Sequence, residues 1–216
     1  MKKRYKLTDQ KMQTYRGCQW QVGQWHETSG EGELCSEGWL HCYTSPLLAV
    51  LHNPMHANIR NPILWEVEVD GKCLRDYDLK EGWTRMRIVK QIELPVVTRK
   101  QVIKYGILCA AEVYDDENWL AWAVNWWVGL DRSSYTAYAA AIAANAASEA
   151  AYAAAIAANA ANTANAAIAA ANAAAIAAYA AKNLDLLALA QIAMEDDSIT
   201  VTIGATHSNT LTGERL

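Results

Sequence analysis

The sequence predicts an α+β protein: a small N-terminal domain on a mixed or antiparallel sheet, followed by an all-α, alanine-rich helical domain. Three observations carry this. All four prolines (Pro46, Pro54, Pro62, Pro95) and eight of the eleven glycines lie at or before Gly106, whereas residues 130 to 203 contain neither, which favours unbroken helix. Between Ala137 and Ala181, 30 of 45 residues are alanine, and Tyr, Ile, Asn, Ser and Thr recur among them every three or four positions, the helical spacing. In the first half, Trp65, Val67 and Val69 alternate with Glu66 and Glu68, the period of a half-buried strand. The composition changes near residues 95 to 100. The predicted domains are therefore 1–98 and 99–197, with a β-like segment and a mobile polar tail over 198–216.

A chain of 216 residues can bury a real core. Its net charge is −4, with 13 Lys or Arg against 12 Asp or Glu in residues 1–98 and 6 against 11 in residues 99–216. Neither half has the polybasic surface that binds nucleic acid by counterion release. Lys2-Lys3-Arg4 reads as a solubilising start without the apolar stretch of a secretory signal. The odd set of five cysteines suggests reduced thiols and a cytoplasmic setting. Asn145, Glu149, Asn159, Asn162, Asn165 and Asn172 interrupt the alanine run too often for a membrane span of about 18 unbroken apolar residues.

Along the first half, Gln19-Trp20-Gln21-Val22 alternates before Gly23, and Thr28 to Glu33 is a turn. Leu34 to Tyr43 reads as a buried strand. Thr44 or Ser45 can cap a helix that has Pro46 at its first position and ends at Asn53-Pro54. Ile63 to Val69 is the clearest strand; Asp70-Gly71 is a hairpin signal, with Lys72 to Arg75 returning. Met86 to Leu94 alternates again until Pro95 closes it.

Cys35, His41 and Cys42 lie within eight residues and are the weak candidates for a metal site. Their Cys-x₆-Cys spacing departs from the Cys-x₂₋₄-Cys of zinc sites, and adjacent strand residues point to opposite faces, so buried structural thiols are the alternative. His52 and His56 would share a helix face, but Pro54 between them argues against that helix.

Thr14-Tyr15-Arg16-Gly17, Tyr43-Thr44-Ser45 and Gln91-Ile92-Glu93 occur in an order that resembles the mono-ADP-ribosyltransferases. The resemblance implies NAD as cofactor, with Arg16 on its phosphates, Ser45 ordering the nicotinamide pocket, Glu93 stabilising the oxocarbenium-like sugar and Gln91 facing the acceptor. The first Ser of that family's usual triplet is absent. A longer stretch is similar to an uncharacterised domain common in phage and prophage genomes. It comprises Tyr15-Arg16-Gly17-Cys18-Gln19-Trp20-Gln21-Val22-Gly23, Leu34-Cys35 to Gly38-Trp39-Leu40-His41-Cys42, Trp65-Glu66-Val67-Glu68 and Arg87-Ile88. That resemblance implies a viral accessory protein in the host cytoplasm, without a mechanism.

In the second half, Gln101 to Tyr114 reads as a helix, and Asp115-Asp116 with Glu117 starts the next. Trp119, Trp122 and Trp126 share one side of it and Gly129 ends it. The stripe is core or, alternatively, a binding surface. Ser133 or Ser134 caps the alanine helix, which would be about 70 Å long if unbroken. The Tyr138, Ile142, Asn145, Glu149, Tyr152, Ile156, Asn159 stripe slips register after Asn162-Thr163-Ala164-Asn165, so a turn there, folding the helix back, is preferred over a stammer. Leu184 to Met194 is a last helix.

Three functions follow, in this order. The first is a phage-type interaction protein that binds a host or viral protein through the α+β domain and self-associates through the alanine helices. The second is an NAD-dependent ADP-ribosyltransferase, and the third is a structural assembly element. The leading expectation is a protein without cofactor or metal, contacting neither nucleic acid nor membrane, since no strong catalytic motif is present.

Overall fold

A computed structural model describes residues 2–14, 17–77, 79–144, 149–162, 165–181, 183–195, 201–203 and 209–211. The chain is α+β and divides into two units, residues 1–96 and 97–216.

The first unit is an antiparallel sheet of β1 (Lys2–Thr8), β6 (Ile63–Asp76), β7 (Lys80–Ile92) and β4 (Trp25–Glu27), with β5 (Leu40–Cys42) also paired to β7. A separate short ladder joins β2 (Gln13–Thr14) to β3 (Cys18–Gln19). Lys2-Lys3-Arg4, expected to be solvated, instead opens β1, in register with β6 from Lys2↔Val69 to Thr8↔Ile63. The charges are compensated in place. Arg4 donates to both oxygens of Glu81 at 2.6 and 3.1 Å, and Lys3 pairs with Glu66 at 3.2 Å. Beyond β5, Tyr43 exchanges two backbone bonds with Tyr5, N–H to O at 2.8 and 3.0 Å. The sheet thus curls until its far side meets β1.

Bulges supply the curvature. Pairing shifts by one residue at Glu66/Val67 and again between Asp70 and Cys73. At the second shift Gly71 takes φ +85°, a Cβ there would lie 2.2 Å from Thr84 Oγ1, and Lys72 N–H donates to that hydroxyl at 3.0 Å. This corrects the expected hairpin: Asp70-Gly71 satisfies a bulge inside one 14-residue strand, and the chain reverses after Asp76. The turn chemistry of Asp-Gly suits either outcome. Trp20, Leu40, Cys42, Trp65, Val67, Val69, Trp83, Met86 and Ile88 form the core.

The expected strand over Leu34 to Tyr43 shrinks to Leu40–Cys42. Gly38 lies so close to the Glu31 backbone that a Cβ would meet Glu31 O at 2.0 Å, which holds the preceding residues as a turn. α1 spans Pro46–His56, with Ser45 as N-cap accepting from Leu47 N–H at 3.2 Å. The helix does not end at Pro54. That proline sits in the last turn, where its missing N–H forfeits one bond. The end is made instead by Asn53, whose side chain exchanges two 3.0 Å bonds with the Ile59 backbone.

The second unit contains α2 (Arg99–Ala111), α3 (Glu117–Val128), α4 (Ser134–Ala143), α5 (Glu149–Asn162), α6 (Ala166–Ala181) and α7 (Leu186–Met194), then the paired strands β8 (Val201–Ile203) and β9 (Asn209–Leu211). Thr98 and Gln101 form a capping box on α2, Asp116 caps α3, and Gly129 ends α3 at φ +84°. α5 packs on α6, and both pack on α2. Ala153, Ala154, Ala157 and Ala158 of α5 and Ala170, Ala171, Ala173 and Ala174 of α6 are buried there. Gly106 of α2 lies opposite Ala170, and a Cβ on it would be 3.1 Å from the Ala170 Cα. Of the expected turn Asn162 to Asn165, Thr163 and Ala164 lie outside the described residues, as do Asn145 of the stripe and residues 204–208 and 212–216 of the expected tail.

Candidate functional site

Several elements of the first unit, β1, β2, β5, α1 and β7, deliver polar side chains to one cavity of about 380 Å³. β1 contributes Lys6, 7% exposed, from its last three residues, which are covered on both faces of the strand. Its ammonium donates to His41 O at 2.7 Å and lies 4.7 Å from the centre of the Trp20 ring. β5 contributes His41, whose Nε2 bonds the Leu34 carbonyl. Tyr43 follows β5, and its hydroxyl meets His56 Nδ1 at 3.0 Å. His56 reaches the cavity only because α1 runs past Pro54, and it stacks on His52 with ring centres 5.6 Å apart. β7 begins with Lys80, whose ammonium lies 3.2 Å from Cys35 Sγ. Thr14, Leu7, Ala57 and Ile59 complete the walls.

The electrostatics are those of buried bases. Burial pushes the Lys6 ammonium down to about 8, with Cys42 and Cys18 pulling weakly the other way. Burial, then the Lys80 charge, brings His52 to about 4, and the same two causes with His52 and His41 bring His56 to about 3. His41 is also lowered, by burial first. Burial raises the Tyr43 phenol and the Cys42 thiol, so both stay protonated. At neutral pH the cavity therefore presents neutral imidazoles, a phenol and two lysines, and among the described residues no carboxylate lines it. The neighbouring Glu81 is already engaged. Burial opposes its charge, but hydrogen bonds from Arg4 and Trp83 and the charge of Arg75 hold its carboxyl below the usual range.

The sequence-based candidates distribute differently. Arg16 lies outside the described residues. Ser45 is buried as the cap of α1, while Gln91, opposite Trp65 on β7, and Glu93 are exposed; none of the three lines the cavity. Cys35 and His41 do line it, but Cys42 points into the core. Among the described residues no group of three His, Cys, Asp or Glu could hold a metal ion. Trp119, Trp122 and Trp126 are buried at 1, 7 and 3% exposure, and Trp119 Nε1 donates to Ala154 O at 3.1 Å. Trp119 and Trp122 also edge a second cavity with Asn118, Asn125 and Asp131.

Sequence reasoning missed Lys6, Lys80 and the role of His56. The alternation of Tyr5, Leu7 and their neighbours in residues 2–8 was a usable signal for β1. Nothing local marks Lys80.

Residues 2–100 match the family model of a domain of unknown function, DUF7666. The DUF7666 span takes in every wall of the first cavity. No curated protein and no solved structure matches the chain. Among the described residues no helix is long and apolar enough to cross a membrane.

Proposed function

We propose that the DUF7666 span is a binding module for a small anion, a carboxylate or phosphate compound held in the cavity between β1, β5, α1 and the start of β7. The observation that carries this reading is the pairing of Lys6 and Lys80 on walls whose described residues include no carboxylate. Among the described residues their ammonium groups meet neutral partners, His41 O and Cys35 Sγ, so an arriving anion would supply countercharge. Neutral His41 and His56 and protonated Tyr43 add hydrogen bonds without adding charge. This reading replaces the expected host or viral protein partner of the α+β domain with a small molecule, and it does not draw on Ser45, Gln91 or Glu93.

Calorimetric titration of the full chain with inorganic phosphate, acetate and glyoxylate tests the reading. Binding should weaken by about tenfold or more in Lys80→Met, the worth of one charge-assisted contact. It should also fall as pH rises through about 8, where Lys6 loses its proton. Absence of binding by all three anions at millimolar concentration, or an unaltered affinity in Lys80→Met, would rule the reading out.

A further inference from the structure

We propose that Lys6 is a carbonyl-capturing lysine whose ε-amine forms an imine with a small anionic aldehyde or 2-oxo acid entering the cavity. Three geometric facts support this. Lys6 is the buried lysine of the first unit and lines a cavity large enough for a compound of a few carbons. Its nitrogen donates to His41 O and rests over the Trp20 ring. Among the described residues no carboxylate lines the cavity to hold it as an ammonium. The pair Tyr43 Oη and His56 Nδ1, 3.0 Å apart, lies on the same walls.

The chemistry closes without a further reagent. The deprotonated amine attacks the carbonyl carbon, and the carbonyl oxygen takes up a proton to give the carbinolamine. The nitrogen gives up two protons in all, one for each proton the oxygen takes up; the hydroxyl leaves as water and the C=N bond forms. No oxidant or reductant is consumed. Tyr43, which stays protonated, is suited to hydrogen-bond the departing hydroxyl, with His56 orienting the phenol across their 3.0 Å contact. The low proton affinity of the buried amine acts in the same direction, because a larger share of Lys6 than of an exposed lysine is free base at neutral pH.

The preference for an anionic carbonyl compound rests on the anion-binding reading, with Lys80 holding the charged group. The amine chemistry itself does not depend on it. Wild-type protein is treated with glyoxylate and cyanoborohydride at neutral pH, and with acetaldehyde as the uncharged probe; modified lysines are then mapped by peptide mass spectrometry. Glyoxylate should label Lys6 about tenfold or more faster than Lys3 and Lys90. Lys6→Met, which keeps the apolar stem, should lose that label alone, and Tyr43→Phe should slow it.

Labelling that follows solvent exposure, with Lys6 no faster than Lys3 and Lys90, would overturn the proposal. So would calorimetric binding of glyoxylate without an adduct at Lys6, which leaves the anion reading intact. Lys6 labelled as fast by acetaldehyde as by glyoxylate supports the imine and overturns the anion reading.

Discussion

Single residues in the first unit are placed against their solution preferences, and this has consequences that pH can read. His52 is fully buried with a folded value of about 4 against 6.5 in the unfolded chain. Between those values the unfolded chain binds a proton that the folded chain refuses. Stability is therefore complete above 6.5 and is lost as pH falls toward 4, by about 3 kcal/mol for a shift of this size. His56, lowered to about 3, adds in the same direction. His52→Leu removes one of the two contributions. Thermal unfolding followed from pH 7 down through this window should show a shallower decline in Tm for the variant than for wild type; parallel declines would refute the assignment. Little of this was legible in advance. The rule that proline ends helices hid the His52–His56 pair, since it takes no account of a proline placed in the last turn. Lys6 looked like one more charge near the N-terminus, and only the pairing of β1 with β6 turns it inward.

Elements whose signal is local were readable, and those defined by distant partners were not. The strand at Trp65, Val67 and Val69 buries those residues as their alternation requires. The caps at Ser45, Asp116 and Gly129 stand where their side chains or backbone freedom predict. The bulge at Gly71 was misread as a turn because its partner, Thr84, is thirteen residues away in sequence. The crossing of α2 on α6 belongs to the same class, since nothing around Gly106 announces Ala170. Two effects compete at Gly106. Adding a methyl to a helical glycine gains about 1 kcal/mol of helix propensity, while the contact at 3.1 Å must open by a few tenths of an ångström. Alanine should thus come out near neutral. Valine adds two further methyl groups with nowhere to go and should destabilise by about 1–3 kcal/mol. Urea midpoints of Gly106→Ala and Gly106→Val decide this, and a valine variant as stable as wild type would show that the helices separate freely.

At the scale of the whole molecule, the chain divides into compact units over residues 1–96 and 97–216. The first unit has its own core around Trp20, Trp65, Trp83 and Ile88, and every cavity wall lies within it. Residues 1–98 expressed alone should fold cooperatively and bind phosphate with the affinity of the full chain. A fragment that is folded yet more than about tenfold weaker would mean that residues beyond 98 complete the site. The site itself was the least legible part of the chain. Its walls come from residues 6 to 80 in separate short stretches, around 6–14, 35–43 and 56–59 and at Lys80, which only the fold brings together.

The bonds between Tyr5 and Tyr43, and the ladder from Lys2 to Thr8 against residues 63 to 69, join residues 2–8 to partners made much later. On the ribosome, β1 emerges long before either partner exists, and the barrel-like curl cannot close until β7 has left the exit tunnel. The alanine helices make their backbone bonds within a few positions, and only their packing on α2 awaits the rest of the unit. The sheet is thus the slower of the two to close. During synthesis the edge of β1 waits unpaired, and charges such as those of Lys2-Lys3-Arg4 disfavour mispairing of an open strand edge.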